Sequence, residues 1–376
     1  MATVRTPARL TGTLRPLLLF AVTVVAPAQE LRPGVWGGPD LSAFPLPVSG
    51  YDVYLIGETH GVKETVAILR QYLARLYERA GLRDVALEEK PAYQREAQAY
   101  IEGKLNDLPE PLCLRAGILD ALRSFNQGRK GSDLIQVRLV DIDLNPEPIR
   151  KHLLALKEAI PGSTAIGVPG VGTIIARGLE TVAALARLTA DRAILGELRT
   201  VDHSIRAYQQ GLEVRSVSFK GSPYLDDRED AIMSNIADIL HNEHRQAVLA
   251  LYGNDHVSKV PLHNGGPRQD RDFPPLALRL ERSGIKVFSV VTLPLTGRWY
   301  WRGQGGDLLW TASDGGFSNG DTFDRVLASA PGATFLYIDP RQERAKLPTQ
   351  DLTRSGADAF LLFAHGTPAE NRCATR

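Results

Sequence analysis

The sequence predicts an α/β fold, a mostly parallel sheet flanked by helices, with a helical cap inserted into it. Three observations predict this. Val53-Tyr54-Leu55-Ile56 and Ala247 to Tyr252 are short, nearly unbroken apolar runs, as expected for strands buried on both faces. Between such runs, apolar residues recur at helical spacing, so strands and helices alternate as they do around a parallel sheet. Within residues 146–224, helical patterns follow one another without an intervening strand, and this is the expected cap.

Each element has its own signal. Residues 29–50 hold Pro33, Gly34, Gly37, Gly38, Pro39, Pro45, Pro47 and Gly50, and read as an extended leader ahead of one domain spanning 51–376. After the strand at 53–56 comes a helix over 62–80, carried by Val66, Leu69, Leu73 and Leu76 and stopped by Gly81. Val85 to Leu87 is a second strand. Helices follow over 91–103 and 112–127, the first opened by Pro91, the two closed by Gly103 and Gly128. Val137 to Val140 is a third strand. Helices are expected over 146–159, 173–190 and 192–211, with a Gly- and Pro-rich loop at 161–172. A helix over 226–244, the strand at 247–252, a helix over 272–283 and a strand over 286–292 come next. Glycine and aromatic residues crowd 297–320, which reads as irregular, before late strands at 334–338 and 359–363.

The N-terminus has the three parts of a cleavable secretion signal over 1–28: Arg5, Arg9 and Arg15, the apolar run Leu17 to Val25, and Ala26-Pro27-Ala28 as the exit. That run is about half of the roughly 20 residues a membrane-spanning helix needs. The expectation is an exported chain, periplasmic or secreted, with no transmembrane segment once the signal is removed. Export would allow Cys113 and Cys373, the two cysteines, to pair, and the sequence leaves that open. A net charge of +1, from 44 basic and 43 acidic residues, gives no reason to expect nucleic acid or an anionic membrane as partner. The expected partner is a small-molecule substrate or ligand.

In open parallel sheets, ligands bind beyond the carboxyl ends of the strands. Four strands of this chain end in ionisable groups: Gly57-Glu58-Thr59-His60-Gly61, Glu88-Glu89, Asp141-Ile142-Asp143, and Gly253-Asn254-Asp255-His256. Repeated delivery of carboxylates and imidazoles to one rim points to an enzyme. A carboxylate beside an imidazole fixes its tautomer and raises its basicity, which suits a general base acting on water. Glu58, His60, Glu88 and His256 are therefore the candidate catalytic residues. The helix expected after Gly61 offers free amides for an oxyanion. Each residue also has a plainer role open to it: Glu58 as a helix cap, His60 as a turn histidine, Asp141 and Asp143 as loop braces.

The motifs LIGETHG (55–61), ALE (86–88), LRSFNQG with VRLVDIDLN (122–128 and 137–145), DDREDAIMSNI (226–236) and LYGNDHVSK (251–259) resemble, in order, those of the erythromycin esterase-like proteins. These are grouped loosely with ChaN-like haem-uptake and Tiki/TraB-like proteins. The resemblance spans residues 51–363. It implies that Glu58 and His60 take the family's first-motif roles, with His60 as the base, that Glu88 and His256 match its later Glu and His, and that Arg228 matches an arginine ahead of a helix. Arg228 and Asp143 are the candidates for holding substrate. Two departures stand out. One residue separates Glu58 from His60, where the esterases usually have two, and Gly253 stands where they tend to carry a second histidine. The first brings the spacing nearer the ChaN-like branch. Three functions remain: cleavage of an ester or lactone without a metal; divalent-metal chemistry on Glu58, His60, Glu88 and His256, as in Tiki-like proteases; or binding of haem or another ligand without turnover.

Overall fold

The computed structural model describes residues 28–41, 44–212, 225–242, 247–266, 269–301, 306–311, 332–342 and 355–369. Residues 1–27 of the expected signal, part of the cap, His244 and Cys373 lie outside the described residues.

The strands are β1 (Gln29–Arg32), β2 (Val35–Gly38), β3 (Val53–Glu58), β4 (Asp84–Leu87), β5 (Gln136–Leu139), β6 (Val248–Gly253), β7 (Leu262–Gly266), β8 (Gln269–Phe273), β9 (Val287–Trp301), β10 (Gly306–Thr311), β11 (Phe335–Ile338) and β12 (Ala359–Gly366). The α-helices are α1 (Glu64–Arg79), α2 (Gln94–Ile101), α3 (Ala116–Asn126), α4 (Pro146–Ala159), α5 (Ile174–Ala186), α6 (Arg192–Ala207), α7 (Leu225–Asn242) and α8 (Leu276–Arg282). One sheet runs β5-β4-β6-β3-β9-β12-β11-β2-β1, with β10 paired to the end of β9. From β5 to β12 all neighbours are parallel. β11, β2 and β1 then add on antiparallel. The α/β class and the mostly parallel sheet are as the sequence predicts.

Alternating burial explains how the sheet is covered. Tyr54 and Ile56 of β3 point into a core completed by Ile68, Leu69 and Leu73 of α1 and Leu119 of α3. Val53 and Leu55 point to the opposite face, against Ile232 and Ile236 of α7 and Leu276 and Leu280 of α8. Both faces of one strand are apolar because both are buried. The helices α4, α5 and α6 form an apolar cluster of their own around Leu153, Leu185 and Val201. They are tied to the loop after β5, where the Asp143 amide donates to Ser204 Oγ at 2.9 Å.

The edge strand β5 is closed by side-chain amides instead of another strand. Gln94 accepts from the Leu139 amide and donates to the Val137 carbonyl, each at 2.7 Å. Gln98 accepts from the Val137 amide at 3.0 Å, and just before the strand Asn126 pairs with both backbone groups of Ile135. Covered polar groups give an edge no template for a foreign strand.

Three segments differ from expectation. Residues 29–38 are not a free leader: β1 and β2 extend the sheet, and Val35 to Gly38 pair with β11. The glycines and prolines there bound short strands and allow the turn at Gly34, whose φ is 80°. Residues 297–320 are irregular only in part, since Thr296 to Trp301 of β9 pair with β10. Glycine-rich composition masked that hairpin. Residues 272–273 belong to β8, and α8 starts later, at Leu276, after Pro274 and Pro275.

Candidate active site

The order β5-β4-β6-β3 makes neighbours of the four strand ends that carry the chemistry. Glu58 is the last residue of β3 and lies opposite Gly253, the last of β6. The chain then turns at Gly61, whose φ of 80° favours glycine. Gly57 is required for a different reason. A Cβ there would lie 2.2 Å from Asn254 Oδ1, and Asn254 bonds both backbone groups of Thr292, its Nδ2 donating at 2.8 Å and its Oδ1 accepting at 3.1 Å. Close approach of the ends of β3 and β6 to β9 therefore fixes the start of the site.

His60 stands at the mouth, its side chain 31% exposed. Its Nδ1 faces Glu58 Oε1 at 2.8 Å, which places the proton on Nδ1 and leaves Nε2 as the acceptor. Glu58 is buried and is bonded from behind by Arg115, whose Nε also donates to Glu89 at 2.9 Å. Burial alone would raise the Glu58 carboxyl, but Arg115 and His60 outweigh it and hold the pKa at about 2. For His60, burial works towards the neutral form, yet Glu58 and Glu88 prevail and its pKa rises above the ordinary value.

Glu88 is the hub. Its Oε2 lies 3.7 Å from His60 Nε2 and accepts the Gly253 amide at 2.8 Å. Its Oε1 accepts from Arg228 Nη2 at 2.5 Å and lies 3.5 Å from His256 Nε2. His256 and Arg228 outweigh burial and hold Glu88 well below the usual carboxylate range. Arg228 also grips Asp141, through Nε at 2.8 Å and Nη2 at 2.7 Å. His256 is 1% exposed in its side chain, with Nδ1 2.6 Å from Glu229. Burial opposes charge on this ring, but Glu229 and Glu88 raise its pKa to about 10. His256 is thus a fixed imidazolium between two carboxylates, and its contacts are those of a support for Glu88.

The structure brings Glu58, His60, Glu88, Arg228 and His256 together. Asp143 is elsewhere. Its Oδ2 lies 2.8 Å from His152 Nδ1 of α4, and its Oδ1 accepts the Ala92 amide at 3.2 Å, so its contacts are those of a loop brace. At the start of α1, the N-cap residue Lys63 donates its amide to the Thr367 carbonyl at 2.8 Å, tying this helix end to the segment after β12. Sequence reasoning missed Arg115 and Glu229. Arg115 sits between Leu114 and Ala116 at the head of an apolar helix, where an isolated arginine is a signal. Glu229 lies inside the acidic run Asp226 to Asp230 and looks solvated in sequence.

One donor atom each from Glu58, His60 and Glu88 lies within 4.8 Å of the other two, a spread that a divalent ion tolerates. The bonding does not suit one. Glu58 Oε1 already carries Arg115 and His60 Nδ1, and both Glu88 oxygens carry donors. The guanidinium groups of Arg115 and the buried Arg228 repel a further cation at this distance. The residues fit a proton-transfer site better than a metal site.

No family model matches the chain, and no curated protein matches it. Solved structures do. A Bacillus cereus protein aligns at TM-score 0.61 and 17% identity, over 86% of this chain and 91% of its own. The erythromycin esterase EreC, solved as a mutant in its open conformation, aligns at TM-score 0.59 and 14% identity, over 86% and 93%. A succinoglycan biosynthesis protein aligns at 0.61 and 13%, over 86% and 90%. The architecture is an erythromycin esterase-like α/β fold. At these identities the likeness concerns the fold alone.

Proposed function

We propose that this protein is an exported hydrolase that activates water with His60 to cleave an ester or lactone. The observation that carries the reading is the relay Arg115–Glu58–His60, which leaves His60 Nε2 as the acceptor at an open rim. In the reaction, Nε2 takes a proton from water as the water oxygen bonds to the acyl carbon. The tetrahedral intermediate expels an alkoxide, which receives that proton from His60. Glu58 holds the Nδ1 proton and stabilises the imidazolium formed in between. Glu88 is anionic throughout, held by Arg228, His256 and the Gly253 amide. Export rests on the N-terminal signal pattern, and β1 begins at Gln29, directly after the expected cleavage point.

The test is an assay of the purified protein on a panel of esters and lactones. His60→Ala should lower turnover by at least ~10²-fold, the low end for loss of a general base. Because His60 is also a partner of the buried Glu58, thermal unfolding of the variant is measured alongside and turnover is compared per folded molecule. Normal turnover by His60→Ala would end the proposal. The metal reading has only the proximity of Glu58, His60 and Glu88 behind it, and their bonding argues against it. It predicts a stoichiometric ion in elemental analysis and loss of activity with a chelator. A haem-binding protein without turnover would show a haem absorption band on titration and no hydrolysis.

A further inference from the structure

A second charged surface lies on the rim opposite Glu58 and Glu88, at the amino ends of the parallel strands. It forms where α1 and α3 end and β4 and β5 begin. Tyr77 of α1 and Phe125 of α3 meet edge to face, with ring centroids 5.1 Å apart and planes at 71°. Arg83, one residue before β4, places its guanidinium carbon 4.0 Å from the centre of the Tyr77 ring. Arg129, in the loop after α3, reaches both rings, at 3.9 Å from Phe125 and 5.1 Å from Tyr77. Two guanidinium groups therefore share one ring.

Backbone carbonyls fix both groups further. Arg83 donates through Nε to Ser132 at 3.2 Å, and through Nη1 to Leu82 at 2.8 Å and Tyr77 at 3.4 Å. Arg129 donates through Nη1 to the Phe125 carbonyl. Tyr77 and Phe125 lie in the last turns of their helices, so these bonds satisfy carbonyls that a helix end leaves over. That plain role uses only part of each fork. Among the described residues, Arg83 Nη2 and Arg129 Nε and Nη2 have no acceptor, and no carboxylate forms an ion pair with either arginine. Of the acids beside them in the chain, Asp84 bonds Arg138 instead, and Glu78 and Asp133 are exposed without an ion pair to either.

Forks held by stacking and by carbonyls lose less side-chain freedom when an anion binds than arginines on free stems do. We propose that Arg83 and Arg129, on their platform of Tyr77 and Phe125, form a docking surface for an acidic polysaccharide, whose sulfate, phosphate or carboxylate groups accept from the free guanidinium N–H groups. The inference is independent of the hydrolase reading. The chemistry favours this partner over two others that carry negative charge. A nucleic-acid base would need an open ring face for stacking, and here the guanidinium groups lie against the rings. A bilayer would call for apolar side chains to insert, and the exposed large hydrophobic residues among the described residues, Val171 and Leu188, belong to the cap. A polymer bound at the amino ends of the strands leaves the rim with His60 open.

The test is retention of the full chain on immobilised heparin, a sulfated polysaccharide, followed by salt elution. Wild type should be retained at about 0.05 M salt and released by about 1 M, where screening limits exposed charges to a reach of ~3 Å. Arg83→Gln/Arg129→Gln should flow through, with affinity for heparin in solution at least about tenfold weaker per arginine, as for loss of a charge-assisted hydrogen bond. Its turnover on any small ester that wild type cleaves should be unchanged. Arg187→Gln/Arg192→Gln removes the same charge from exposed positions of the cap and should be retained like wild type. Equal loss of retention in that control would assign binding to net charge and overturn the inference. Because Arg83 and Arg129 also close helix ends, thermal unfolding of each variant is measured. Should the Arg83→Gln/Arg129→Gln protein not fold, Ser132→Glu takes its place. Position 132 is exposed and its carbonyl holds Arg83, so a carboxylate there supplies a competing anion and elution should move to lower salt. Elution unchanged in the folded double variant, or in Ser132→Glu where it is needed, would overturn the inference. So would a wild type that heparin does not retain, or one that binds a single-stranded oligonucleotide or anionic phospholipid vesicles as tightly as heparin.

Discussion

Each candidate side chain in the site is defined by a partner. His60 is raised in pKa, against its own burial, by Glu58 and Glu88. If His60 is the base of the proposed hydrolysis it must be neutral to act, so activity should rise with pH through a midpoint above the ordinary histidine value of 6.5. Glu88→Gln removes one of those anions while keeping a similar shape. The midpoint should then move down, and a pH–rate profile of the two proteins checks this. A midpoint that stays or moves up would show that Glu88 does not act on His60. The effect on His256 should be separate. Glu88→Gln leaves His256 with Glu229 as its main anion, so its ring should lose its proton at lower pH than in wild type, as read by NMR of the imidazole. Glu58, His60, Glu88 and His256 are legible in the sequence because each closes an apolar strand. Arg115 and Glu229 are not, because they come from helical segments, and only the packing of α3 and α7 onto the strand ends shows what they touch.

At the scale of elements, the prediction of strands and helices succeeds where the period is strong and fails where composition misleads. α4 is expected over 146–159, and Pro146–Ala159 is its observed span, because proline opens it and the apolar spacing is regular. β1, β2 and β10 are hidden by glycine and proline, and their pairing depends on partners remote in sequence. Gln94 is a second case of long-range dependence, since nothing local marks it as the cover of β5. Gln94→Ala would leave the Val137 carbonyl and the Leu139 amide without that partner. The expected cost is about 1–3 kcal/mol, the penalty for unsatisfied buried polar groups. Urea unfolding measures it, and light scattering on warming should show earlier association through the uncovered edge. A variant as stable and as soluble as wild type would mean that water replaces the glutamine without loss.

For the whole molecule, the buried charges couple folding to pH in a direction that can be worked out. Glu58 has a folded pKa of about 2 against an ordinary 4.5. Its contribution is present above 4.5 and is lost as pH falls towards 2. His256 and His152 behave oppositely. Burial alone would lower them, but their carboxylate partners raise them to about 10 and about 9, from 6.5. The folded chain then holds protons that the unfolded chain has released, so stability falls as pH rises from 6.5 through these values. Each such proton gives a slope of up to about 1.4 kcal/mol per pH unit at about 25 °C. The expected profile has its maximum between about 4.5 and 6.5 and declines on both sides. A series of denaturant titrations from about pH 3 to about pH 10 would draw it (~1 unit steps suffice). Glu229→Gln identifies the alkaline limb. It removes the larger of the two anions acting on His256, so the variant should be less stable than wild type at about pH 6, with the gap closing as pH approaches about 10. The gap closes because wild-type His256 then loses its proton and leaves Glu229 buried beside a neutral ring, so the wild type loses the advantage the variant never had. A wild-type stability that stays flat up to about pH 9, or a gap that widens with pH, would show that His256 is not held as an imidazolium and that Glu88 owes its position to Arg228 and the Gly253 amide.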